Sequence, residues 1–305
     1  MKTVLKKIIK MVGLQGARSS KQLLIDVQRT DPSATLDQGV LTSLGLKLNP
    51  VDDFWIVQAL PIFSVLVEHL GFRLEKSEKH VRATRGQVTF EVQSSIEAGI
   101  LQDIYGRSVY RLITDKPYLI VDVGANIGVS AIYHASEFGA EVHGFELVPQ
   151  VANRAADHVK SNHLDSLVTI YPFGLGRVDQ EINVPFSDDL TGGTSLHNFN
   201  NVNPEAGTVK CKVCCVESSV RSILAGSTKE KFVKMDCEGA EYEILESLDE
   251  SGLLKEFSGF LMEYHEISDT RNRIWLEQFF STRGFYVHSM TKPGFNHEML
   301  YAFRR

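Results

Sequence analysis

Two acids and two glycines, spaced along one stretch of chain, could hold a nucleoside. Residues 120–128 read Ile-Val-Asp-Val-Gly-Ala-Asn-Ile-Gly, and Glu146 closes a second apolar run 24 residues after Asp122. Gly124 and Gly128 bracket a tight turn that leaves bare backbone at the start of a helix, where a ligand can approach closely. A carboxylate at the tip of the next strand, about 20 residues beyond such a turn, can accept both hydroxyls of a ribose. The plain alternative is a structural turn with a solvated glutamate. A pyrophosphate does not suit this loop. A dinucleotide site wants Gly-x-Gly-x-x-Gly, whose second glycine admits the phosphates, and Asn126 stands at that position. Asp122 would repel phosphate and attract a cation. S-adenosylmethionine carries a ribose, an ammonium and a sulfonium but no phosphate, and so fits better than NAD. The expected contacts are Asp122, Gly124, Asn126, Gly128 and Glu146.

A second group of acids follows in Lys234-Met-Asp-Cys-Glu-Gly-Ala-Glu-Tyr-Glu-Ile-Leu. Asp236 ends an apolar run, and Gly239 lets the chain turn into a helix. Ligands of open α/β sheets bind outside the strand C-termini, so Asp236 should share a crevice with Gly124 and Glu146 and join the cofactor contacts. Glu263 and His265 are two apart and share one face of an extended chain, as do Asp236 and Glu238. Four such groups suit proton transfer, or a divalent cation such as Mg²⁺ or Mn²⁺ held by Asp236, Glu238, Glu263 and His265. His265 is the expected general base, because imidazole titrates near neutrality; Asp236 and Glu238 are the next candidates. Acids in a first helical turn also favour the helix dipole, which accounts for Glu241 without any chemistry.

Elements that would position these groups can be read from periodicity. From Leu119 onward apolar runs alternate with helical spacings, which argues for a parallel sheet with helices on both faces. The spacing predicts strands at 119–123, 141–145, 167–172, 208–216, 231–236 and 258–264. Helices are expected at 127–138, 149–161, 217–225, 239–248 and 270–282. Strands at 285–290 and 298–304 should close the sheet as an antiparallel pair. Irregular sequence fills 174–207, with a hairpin at 181–186. Residues 86–118 lead into the sheet through a strand at 88–92 and a helix at 96–105. Residues 1–85 differ: they read as a mainly helical extension, periodic at 20–28 and 53–70, with a charged linker or exposed hairpin at 76–85. Two domains are therefore expected, 1–85 and 86–305.

Composition narrows the partners. A net charge of −6 offers no general basic surface for nucleic acid, which lowers that hypothesis without removing a local patch. Cys211, Cys214, Cys215 and Cys237 are too few and too clustered for a disulfide framework in 305 residues. Reduced thiols and a cytoplasmic location are expected. Cys211-x2-Cys214 lacks the second pair that zinc needs. Lysines interrupt the apolar start, which is neither a signal peptide nor a transmembrane segment. There Val4, Leu5, Ile8, Ile9 and Val12 form one helical face, suited to packing on the protein itself or on a second copy in a homo-oligomer.

Three segments, 121–128, Phe145-Glu146-Leu-Val-Pro149 and 234–245, closely resemble the FkbM family of S-adenosylmethionine-dependent methyltransferases. Gly192-Gly193-Thr-Ser-Leu and Glu263-Tyr-His265 are similar to further stretches of that family, and the resemblance spans roughly 86–305. It implies a Rossmann-like class I methyltransferase fold of seven strands, six parallel and one reversed. It also implies methyl transfer to a hydroxyl oxygen, often on a sugar or polyketide-like product, and so a small-molecule or glycan acceptor. The family's usual Phe-Glu-Pro is Phe145-Glu146-Leu147 here, and its Asp-Val-Glu-Gly is Asp236-Cys237-Glu238-Gly239. Glu217-Ser218-Ser219 replaces a common Leu-Asp pair and should alter the acceptor pocket. Three rivals stand beside this reading. A non-catalytic cofactor-binding partner protein is opposed by the acid and histidine set. An NAD oxidoreductase is opposed by Asn126. A nucleic-acid methyltransferase is opposed by the acidic balance.

Overall fold

The computed structural model describes residues 40–41, 46–47, 54–78, 80–186, 207–290 and 298–305. The expected helical faces at 4–12 and 20–28 and the segment Gly192–Leu196 lie outside them. The chain divides into two compact units, Met1–Arg107 and Ser108–Arg305. Among the described residues no helix is long and apolar enough to cross a membrane.

In the first unit β1 (Val40–Leu41) pairs antiparallel with β2 (Leu46–Lys47). Helix α1 (Phe54–Glu68) is followed by a meander of β3 (Arg73–Lys76), β4 (Val81–Arg85) and β5 (Val88–Val92). Val81, Ala83, Val88, Phe90 and Val92 are buried at every second position, so the period-two pattern of a half-buried sheet reaches into the charged 76–85 stretch. Helix α2 (Ser95–Leu101) starts on Ser94, whose side chain accepts the Glu97 N–H at 3.2 Å. It runs on into a π-helical turn at Gln102–Gly106.

The second unit alternates as its sequence predicts, except that Gly174–Gly176 and Gln180–Phe186, expected to be irregular with a hairpin at 181–186, form two single strands. In order come β6 (Tyr118–Val123), α3 (Val129–Phe138), β7 (Glu141–Phe145), α4 (Pro149–Ser161), β8 (Val168–Tyr171), β9 (Gly174–Gly176) and β10 (Gln180–Phe186). Then follow β11 (Gly207–Cys215), α5 (Val216–Ala225), β12 (Glu230–Met235), α6 (Glu241–Glu250), β13 (Gly259–Tyr264), α7 (Arg273–Ser281), β14 (Phe285–Met290) and β15 (Glu298–Arg304). Seven strands form one sheet in the order β14-β15-β13-β12-β6-β7-β8. Only β15 runs against its neighbours; the other pairings are parallel.

All six residues of β6 are buried, as expected of a central parallel strand covered on both faces. Leu119, Val121, Val123, Val233, Met235, Phe260 and Met262 share one core with Ile244 and Leu245 of α6. Each such side chain contributes about 1.5–3 kcal/mol. The strand expected at 208–216 forms but does not enter this sheet. It pairs antiparallel with β10 and parallel with β9 in a separate three-stranded sheet. The consequence for function lies between β6 and β12. From β6 the chain proceeds outward to β7 and β8, then returns to β12 on the other side. That reversal opens a crevice at the carboxyl ends of the two strands.

Candidate active site

Gly124 and Asp236 begin the loops that leave β6 and β12, and they meet in that crevice. Gly124 takes φ +79°, and a Cβ built on it would lie 1.8 Å from the backbone oxygen of Asp236. No side chain fits there. The left-handed conformation alone costs alanine about 1–2 kcal/mol. With the clash added, Gly124→Ala is expected to lower the melting temperature by at least about 3 °C. A melt indistinguishable from the parent's would show that the turn adapts. Gly128 (φ +84°) precedes α3, where a Cβ would press to 3.2 Å on that of Ala155 in α4. Asn126 adopts φ 50°, which asparagine tolerates better than most residues.

Glu146 closes the turn from the neighbouring strand. Its carboxylate accepts the Asn126 N–H at 2.9 Å and the Val148 N–H at 3.0 Å. Burial raises its pKa, while those two N–H groups and the charge of Lys234 pull the other way. Turn and acid are thus joined directly, as their spacing suggested.

Asp122 departs from expectation. Only 1% exposed, it is sealed beneath the turn rather than offered to a cationic ligand. Lys234 Nζ stands 3.0 Å from its Oδ1, and the Ser130 hydroxyl donates to its Oδ2. A neutralised, enclosed carboxylate attracts no external cation. Lys234, itself 4% exposed, also donates to the Gly124 carbonyl at 2.6 Å.

On the other side of the crevice Asp236, Glu263 and His265 bring one ligand atom each within 4.8 Å of one another. Glu238 does not join this group. It adopts φ 55° and lies 3.4 Å from His265 Nε2. His265 Nδ1 stands 3.0 Å from Oε1 of Glu241, which is fully buried. Glu241 also accepts the Cys237 N–H at 3.2 Å, and the Tyr242 hydroxyl donates to the His265 carbonyl at 3.0 Å. Burial lowers the pKa of His265, but the Glu241 hydrogen bond and the charges of Glu241, Glu238 and Asp236 outweigh it and lift the value to about 9. At neutral pH His265 therefore carries a proton rather than taking one, against the sequence expectation for a free imidazole. Asp236 moves into the useful range instead. Burial and then the charge of Glu263 push it to about 7, against the opposing pull of Lys234 and His265. The buried Tyr110 hydroxyl lies 3.4 Å from its Oδ2.

Three residues at this site were missed: Tyr110, Lys234 and Glu241. Lys234 did leave a signal. A lysine within Phe-Val-Lys-Met and an aspartate within Ile-Val-Asp-Val both interrupt buried strands, and a buried charge needs a partner. Tyr110 left none.

The family model of the methyltransferase FkbM domain matches residues 122–300. No curated protein matches at a significant level. Among solved structures, the human methyltransferase 10 domain containing protein is similar at 14% identity and a TM-score of 0.43, over 84% of this chain and 98% of that one. Precorrin-6y C5,15-methyltransferase from Geobacter metallireducens gives 14% and 0.38, over 70% and 90%. The N-terminal domain of human METTL16, solved in complex with SAH, gives 11% and 0.37, over 81% and 80%. The family model, rather than these distant likenesses, carries the assignment.

Proposed function

The chain belongs to the FkbM methyltransferase family, and so to the S-adenosylmethionine-dependent methyltransferases, and from that premise we propose that it methylates a hydroxyl oxygen of a sugar, glycan or natural-product-like acceptor. One observation carries this reading. A bare-backbone turn tied to a ribose-type acid faces, across a single crevice, a carboxylate poised to titrate near neutrality. Methyl transfer is an in-line displacement at the sulfonium methyl, so alignment of donor and acceptor does much of the work. In this reading Glu146 binds the ribose hydroxyls and the backbone of Gly124–Gly128 lies against the methionine portion. With Asp122 neutralised by Lys234, the acid facing the cationic end of the donor is Asp236. The same carboxylate takes the acceptor proton as the new bond forms. His265, held as a cation by Glu241 and Glu238, fixes the loop that carries Glu238. The catalytic domain, expected from the sequence to begin at residue 86, is better drawn as the unit Ser108–Arg305, and the first unit selects acceptor or partner.

The test is conversion of S-adenosylmethionine to S-adenosylhomocysteine over a panel of hydroxylated acceptors. Turnover with sugars or polyols supports the proposal. Turnover confined to RNA or to amines would overturn the O-methylation assignment. Glu146→Ala should weaken S-adenosylhomocysteine binding by about 1.5–3 kcal/mol, the usual loss on removing hydrogen bonds to a charged group. Unchanged affinity by calorimetry would remove the ribose role.

Asp236, Glu263 and His265 also favour a second reading, since two oxygens and one nitrogen within 4.8 Å suit a divalent cation such as Mg²⁺ or Mn²⁺. Such an ion would polarise the acceptor hydroxyl. His265 would have to shed its proton to join. We expect EDTA-treated enzyme to keep full turnover; loss of turnover that Mn²⁺ restores would favour the cation.

A further inference from the structure

We propose that Lys234 is a positioning residue for the donor: by donating to the Gly124 carbonyl it fixes the glycine turn in the shape against which the cofactor's methionine end lies. The inference rests on the assignment of that turn to the donor.

The parallel pairing of β12 with β6 sets Lys234 directly beside Asp122. The ammonium has three N–H donors, and its surroundings supply matching acceptors. Asp122 Oδ1 stands at 3.0 Å, the Gly124 carbonyl at 2.6 Å and the Val123 carbonyl at 3.5 Å. The ring of Tyr110 lies 5.3 Å away and completes the enclosure. The N–H of Gly124 is meanwhile bound to the Phe145 carbonyl at 2.9 Å. Both polar groups of that glycine are thus fixed, one from β12 and one from β7. Asp122 carries the connection onward, because its second oxygen accepts the hydroxyl of Ser130 in the first turn of α3. Strand end, turn and helix start are bound to one ammonium.

Stability does not explain such a group. Replacing a buried ion pair by apolar residues of similar volume is often neutral or stabilising, and methionine would fill this part of the strand. What methionine cannot do is donate to a turn carbonyl. Removing one partner alone would strand the other charge, so the test removes both. Asp122→Asn/Lys234→Met is expected to melt cooperatively near the parent temperature and to bind S-adenosylhomocysteine about tenfold or more weakly, the loss of a charge-assisted hydrogen bond. The KM of the acceptor should barely change. Asp122→Asn alone keeps the Lys234 contact with Gly124 and should hold affinity within about threefold, since only the less direct link is weakened.

A folded double variant that binds as tightly as the parent would reduce Lys234 to a structural residue and overturn the proposal. A tenfold loss in a folded Asp122→Asn protein would move the role to Asp122 and overturn it equally, which keeps the proposal open to refutation even if the double variant does not fold. A folded parent without affinity for S-adenosylhomocysteine would be a different failure, removing the donor-site assignment and this inference together.

Discussion

Asp236→Asn is expected to lower kcat by about 10²–10⁴-fold, the usual contribution of a positioned base, while affinity for S-adenosylhomocysteine falls by much less. Asparagine keeps the shape and accepts the Tyr110 hydroxyl, but it cannot take a proton. In the parent, burial and the neighbouring charge of Glu263 hold the Asp236 carboxyl near 7. A base works in its deprotonated form, so the parent rate should rise with pH through about 7 and then level. Asp236→Asn should lose that rise along with the rate. Proton transfer through His265 would give a different profile, climbing until about pH 9, where that imidazolium releases its proton. Measurement of kcat against pH for both proteins, with whichever acceptor turns over, separates the two. An Asp236→Asn enzyme with near-parent kcat and an unaltered profile would remove Asp236 from proton transfer and leave Glu263 or Glu238 to take it.

The sheet and the donor side were legible because their signals are local. Leu119 to Val123, interrupted only by Asp122, and Val142 to Phe145, apolar at both ends, lie between turn residues, and their strands form there. The distance from Gly124 to Glu146 is likewise fixed by one strand-turn-helix-strand unit, so the bond from Asn126 to Glu146 followed from spacing. Pairing between distant strands was less accessible. The alternating residues of β11 describe a strand with one buried face but do not name its partner, and β10 and β9 take it instead of the main sheet. Charge state was hardest to read. Asp122 read as a ligand for cations because its partner lies over a hundred residues away on β12. Glu241 read as a dipole acid of α6, yet it is fully buried against His265. Both helix dipole and ion pair favour an acid at that position, and the sequence pattern is the same for either. The proposed base is Asp236 rather than His265 for that reason: the nearest carboxylates, invisible in a linear reading, decide which group holds the proton.

The same pairing predicts an unusual dependence of stability on pH. His265 titrates near 6.5 when unfolded and near 9 in the folded protein. A group whose pKa is raised by folding contributes most below its unfolded value, and the contribution is lost as pH rises through the folded one. The stabilisation should therefore be complete below about pH 6.5 and gone above about pH 9. With the side chain 18% exposed, the shift corresponds to about 3 kcal/mol. Asp236, also raised by folding, loses its own contribution between about 4 and 7. The interval from pH 7 to 9 consequently isolates His265. Denaturant unfolding across that interval should show the parent weakening steadily, whereas His265→Gln should be nearly flat. At pH 7 the variant should already be less stable, because Glu241 loses its cationic partner while remaining buried; breaking such pairs costs about 3–5 kcal/mol. Gln can still donate an amide hydrogen to Glu241, which places the expected loss toward the lower end. A parent whose stability does not change between pH 7 and 9 would mean that His265 is neutral in the folded state. The imidazole would then be free to act as base, and the proton-transfer role would return to it from Asp236.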